Sequence, residues 1–203
     1  NNSFFNCQHS TSSFNSVNES LIENNTFINC AGYLEIANSL VENNDFYSSS
    51  YRFILSDVIF RNNRIRNSSE EYIFHLSGDS SYIVNNLITN NESEVLFDLN
   101  MSDLESVLIV NNTISNNEFD IISNVQEEGT EGIFHFYNNT FNNNDLTHFI
   151  YSNSSQNEFH FYNNNFFGSG TSVTGDATIF GLENSFNIDP VFISPSENIG
   201  ISD

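Results

Sequence analysis

Apolar and polar positions alternate in this chain with period two, in short runs that return again and again. One column reads Ile22, Val41, Phe60, Ile83, Ile109, Phe136 and Phe161, almost purely apolar. The next residue in each run tolerates charge: Glu23, Glu42 and Arg61, then Val84, Val110, Tyr137 and Tyr162. That alternation predicts a strand with one buried face. An Asn-Asn-x-(Phe/Ile) template follows directly, starting at Asn1, Asn24, Asn43, Asn62, Asn85, Asn111, Asn138 and Asn163, with a degraded copy at Glu183-Asn184-Ser185-Phe186. Its steps run from 19 residues (Asn24 to Asn43) to 27 (Asn111 to Asn138), a spacing that signals a solenoid, propeller or array.

Asn tolerates left-handed backbone angles and bonds its own backbone, so each pair predicts a tight corner. Stacked from rung to rung, one Asn of each pair can form an amide ladder. The Phe or Ile after it predicts a second short strand. A further polar corner follows at Asn6, Asn29, Ser48, Asn67, Asn90, Asn116, Asn143 and Gly168, and then a third apolar run such as Arg52-Phe53-Ile54-Leu55. Three short strands per turn describe a coil of parallel strands, each rung burying its apolar face on the next. The expectation is an all-β parallel β-helix of about nine rungs over residues 1–186, roughly 40 Å long. Residues 187–203 are expected to form a tail or last partial rung. Polar insertions at 100–103, 127–132 and 152–157 should emerge along one edge. Abundant Asn, scarce Ala and β-branched or aromatic apolar positions exclude a helical repeat.

Charge narrows the partners. The 203 residues carry 26 Asp and Glu against 4 Arg and no Lys, for a net charge of −22. That argues against nucleic acid and anionic membranes, and suits high solubility and weak Ca²⁺ binding. No apolar run is long enough to span a bilayer or to act as a signal sequence. A start at Asn1, inside a repeat, suggests a segment of something longer. Cys7 and Cys30 each lie six residues after the first Asn of their repeats, one rung apart, which makes them a disulfide candidate or two stacked reduced thiols. Phe134-His135-Phe136-Tyr137 and Phe159-His160-Phe161-Tyr162 place His135, His160, Tyr137 and Tyr162 in a stripe that could take a sugar or a metal, against a bland reading as stacked surface side chains. Among the Asn-x-Ser/Thr triplets, Asn18, Asn67, Asn91, Asn100 and Asn153 are expected in loops or outer corners, as glycosylation candidates. Asn24, Asn111 and Asn138 are expected to be buried in the corner ladder.

The Asn-Asn-x-(Phe/Ile) corners between alternating strands resemble the right-handed parallel β-helix repeats of the pectate-lyase-like superfamily. They are close in style to polymorphic outer-membrane and adhesin-like surface proteins. The tail Asp189-Pro190-Val191-Phe192 is similar to a signature that often follows the last rungs of such proteins. The resemblance implies a right-handed coil and leaves open both enzymes and passive fibres. A lyase of that superfamily needs an Arg or Lys base and Ca²⁺-holding carboxylates; the cations here are Arg52 and the group Arg61, Arg64 and Arg66. A hydrolase needs a pair of carboxylates about 5 to 9 Å apart, and the acids read as scattered, mostly in loops. The expected function is therefore non-enzymatic: an extracellular structural and adhesive segment of a larger cell-surface protein or filament. Its partners would be neighbouring copies, further repeats or cell-surface glycans. Carbohydrate binding or polysaccharide processing is the alternative.

Overall fold

Among the described residues every regular element is a β-strand, and every strand pairs in parallel with strands one rung away. The computed structural model describes residues 2–7, 15–99, 105–125, 132–169 and 172–186. They form three parallel sheets of nine, eight and eight strands. The chain visits them in fixed order. A corner sheet holds strands of two or three residues, from Ser3–Phe5 to Ser185–Phe186. A long sheet runs from Asn15–Asn18 through Ser69–Ser77 to Val173–Gly175. A motif sheet runs from Leu21–Glu23 to Thr178–Leu182. The coil makes about seven turns rather than nine. The last strand of the corner sheet among the described residues is Ser185–Phe186. The expected tail, 187–203, lies outside the described residues, as do the insertions 100–104 and 126–131. Among the described residues no helix is long and apolar enough to cross a membrane.

Register puts like on like. Ile109 pairs with Ile83 on one side and Phe136 on the other, and Val41 pairs with Ile22 and Phe60. The apolar column therefore stacks as its period predicts. The corner sheet adds a column of its own, in which Phe27 stacks on Phe46 with ring centroids 4.8 Å apart, and Phe141 on Phe166 at 5.1 Å. From the long sheet, Phe74 stacks on Phe97 at 5.5 Å. A fully buried ring such as Phe46, Phe74, Phe97 or Phe141 contributes about 1.5–3 kcal/mol, and the core is a continuous axial file in place of one central cluster.

The corners explain the Asn content. The first Asn of the pair takes φ near +55°, as at Asn24, Asn62, Asn85 and Asn111; Asn29, Asn67, Asn90 and Asn116 do the same at the second corner. Asn accepts this region at less cost than most side chains. A third corner turns at Glu19, Asn38, Asp57 and Gly78.

The second Asn of the pair builds the ladder. Asn112 Oδ1 accepts both the backbone N–H of Asn86 (2.8 Å) and its Nδ2 (3.0 Å), and Asn139 Oδ1 serves Asn112 in the same way at 2.9 and 3.1 Å. The remaining Nδ2 proton caps a main-chain carbonyl, Phe60 for Asn86 and Ile83 for Asn112. The first Asn of each sequon pair, expected in the ladder, is instead exposed at Asn24, Asn111 and Asn138. A left-handed residue points its side chain outward, and the next residue points in.

Candidate functional surface

The second corner carries a second ladder, one residue after each left-handed position. Asn91 Oδ1 accepts the N–H of Ser68, Asn117 Oδ1 that of Asn91 and Asn144 Oδ1 that of Asn117, all at 2.9–3.1 Å. Asn91 is 2 % exposed, and its Nδ2 donates to Ile65 O and Asn117 Oδ1. It is not the outer-corner glycan acceptor expected from sequence, because the very nitrogen a glycan would occupy is spent inside the rod. Asn18, Asn67 and Asn153 are exposed, and Asn100 lies outside the described residues. In a host that attaches N-glycans, folded protein should carry none at Asn91, while Asn67 and the exposed corner Asn111 are open to modification. Intact-peptide mass spectrometry checks this; a glycan on Asn91 in folded material would remove it from the ladder.

Cys7 and Cys30 occupy the top of that same ladder. Both are free thiols, Cys30 buried. The N–H of Cys7 donates to Cys30 Sγ at 3.4 Å, and the N–H of Cys30 donates to Ser49 Oγ at 3.2 Å. Cys, Ser and Asn are thus interchangeable acceptors for one kind of corner amide. The hydrogen bond to Cys30, helped by burial, raises the pKa of Cys7.

The acidic residues are not scattered. On the outer side of the long sheet Glu92 pairs with Glu118, and Glu118 with Asp145; Glu71, Glu94 and Asp120 line the same shallow groove of about 500 Å³. Arg52 closes one end, donating to Glu70 at 2.8 Å and Glu71 at 2.9 Å between the rings of Tyr33 and Tyr72. Burial works against its charge, but Glu70 and Tyr33 outweigh it and raise the guanidinium pKa. Arg61 and Arg66 pair across rungs with Glu42 and Asp45, each at 2.7 Å. Arg52, Arg61 and Arg66 therefore neutralise neighbouring acids rather than gathering into a clamp. Among the described residues no three His, Cys, Asp or Glu side chains converge as a metal site.

The histidine stripe comes together as its spacing requires. His135 pairs with His160 and Tyr137 with Tyr162, with ring centroids 5.0 and 5.4 Å apart. Tyr137 Oη shares a hydrogen bond of 2.8 Å with His135 Nδ1, and His160 Nε2 reaches Glu158 at 3.0 Å. Burial first, and His160 second, lower the pKa of His135 against the opposing pull of Glu158. His160 then stacks on Phe180 at 4.6 Å. These rings take one another as partners along the rod.

The stripe is part of something larger that column reading missed. Leu21, Leu40, Ile59, Tyr82 and Leu108 precede His135 in the same outward register, so one outward column of the motif sheet is apolar or aromatic on every strand, beside a column that starts with Glu23, Glu42 and Arg61. The signal was present three residues before each first Asn. By contrast, the centre of the corner sheet's outer face is no open surface: Leu87, Thr89 and Ser115 point away from the core by register yet are fully buried. Fold and surface together define a parallel β-solenoid repeat protein. No protein-family model matches the chain, and no curated protein matches it.

Proposed function

We propose that this chain is a non-enzymatic structural rod, an adhesive segment of a larger extracellular surface protein or filament. The observation that supports it best is the pair of axial polar ladders flanking a continuous file of buried aliphatic and aromatic side chains. The second Asn of each pair, and the Asn, Ser or Cys of the second corner, are committed to tying rung to rung. Such a coil lengthens by adding repeats without changing its cross-section, which is what a spacer at a cell surface requires. Kinship with the pectate-lyase-like superfamily and its adhesin-like members, and a right-handed coil, belong to this reading. So do occupied glycans at the exposed sequons and further repeats or surface glycans as partners.

Polysaccharide processing is the competing reading, and the acidic groove gives it a place. Incubating the chain with acidic and neutral polysaccharides and assaying for new reducing or unsaturated ends separates the two. The rod reading expects none; steady release of such ends, lost on Glu92→Gln or Glu118→Gln, would overturn it.

A further inference from the structure

The outer face of the motif sheet carries an unbroken apolar and aromatic column among the described residues. It crosses all eight strands. Ile59 is 43 % exposed, and Tyr82 and Phe180 are each 40 % exposed. Its two halves differ in kind. Leu21, Leu40 and Ile59 make an aliphatic half, while His135, His160 and Phe180 make an aromatic one, with Tyr82 and Leu108 between them. Its charges gather at one end, where Glu23 is exposed and Glu42 is tied to Arg61; further along, Glu158 is held to His160, and a denser row of acids lines the long sheet.

We propose that two copies of this chain pair through this face, antiparallel, about a two-fold axis between the Tyr82 and Leu108 strands. A two-fold contact is self-complementary. With the axis at the middle of eight strands, the aliphatic half of each copy meets the aromatic half of the other, and Leu108 meets Tyr82 of the second copy. The face spans seven strand steps of ~4.8 Å and strands of three to five residues at ~3.3 Å each, or about 500 Å² flat per copy. Two such faces remove about 1,000 Å² before side-chain relief is added, which reaches the lower bound for a specific interface. A sugar chain fits less well, because the aromatic rings already stack on one another. The net charge of −22 acts against pairing at long range, but salt screens it beyond about 10 Å, so association should tighten as salt rises.

This inference rests on the rod reading only in treating the face as a surface and not an active site. Its test is sedimentation equilibrium of the full 203-residue chain over a range of concentration and salt. A dimer is expected, tightening with salt. Tyr82→Asp and Leu108→Asp, whose side chains point outward, should each weaken it by at least about a hundredfold, since every substitution enters a two-fold interface twice. Thr147→Asp, exposed on the long sheet, should leave it unchanged. Thermal melts confirm that the variants stay folded. A monomer at all concentrations overturns the proposal, and so does association that the two face variants leave intact, which would place the contact elsewhere. Saturable binding of a soluble oligosaccharide by monomeric wild type, lost in Tyr137→Ala, would give the face to sugar. None of these failures touches the rod reading, which the polysaccharide assay decides separately.

Discussion

Asn112→Ala should destabilise the fold by about 3–5 kcal/mol, while Asn111→Ala, its neighbour in the same pair, should cost only about 1 kcal/mol. Asn112 is 1 % exposed, and its amide links three rungs. Truncating it leaves the buried N–H of Asn86 without an acceptor and the Ile83 carbonyl without its side-chain donor. Each stranded group costs about 1–3 kcal/mol. Asn111 has φ 55° and an exposed side chain, so alanine there forfeits only asparagine's tolerance of the left-handed region. Asn111→Gly should recover that loss. Urea midpoints at constant slope measure all three. Equal costs at the two positions would mean that the ladder contributes nothing beyond the turn itself.

That contrast shows what was legible in the sequence and what was not. Columns at period two fixed the inward file, because Ile109 and its stacked neighbours have no other way to leave water. The corners were legible from Asn chemistry. Which Asn of the pair turns inward was not, since both residue types are identical and only the backbone angle tells them apart. The second ladder was hidden for the opposite reason. Its members, Cys30, Ser49, Asn91 and Asn117, share no single residue type, only the capacity to accept a corner N–H. Reading Asn91 as a glycan site followed from judging that residue singly. The outward column from Leu21 to Phe180 was overlooked because attention to the buried column makes its partner look like surface by default. The acids looked scattered because parallel stacking, not sequence proximity, brings Glu92 beside Glu118.

Ile109→Asp tests the inward file more severely. Ile109 is 0 % exposed between Ile83 and Phe136, while Val110, one residue on, points out and is half-buried. The substitution gives up about 1.5–3 kcal/mol of burial and strands a carboxylate in an apolar column, where a lone buried charge costs about 3–5 kcal/mol. The carboxyl lowers that cost only by staying protonated, so Ile109→Asp should be least stable at neutral pH and regain part of the loss as pH falls toward 5. Its folded pKa lies above the unfolded value, so the unfolded chain releases its proton first and the penalty grows as pH rises past about 4. Val110→Asp should lose less than about 1 kcal/mol, with no such pH dependence. Circular-dichroism melts of both variants at pH 5 and pH 7.5 read the difference directly. Similar melting points at pH 7.5 would mean that the motif strand presents the opposite face to the core.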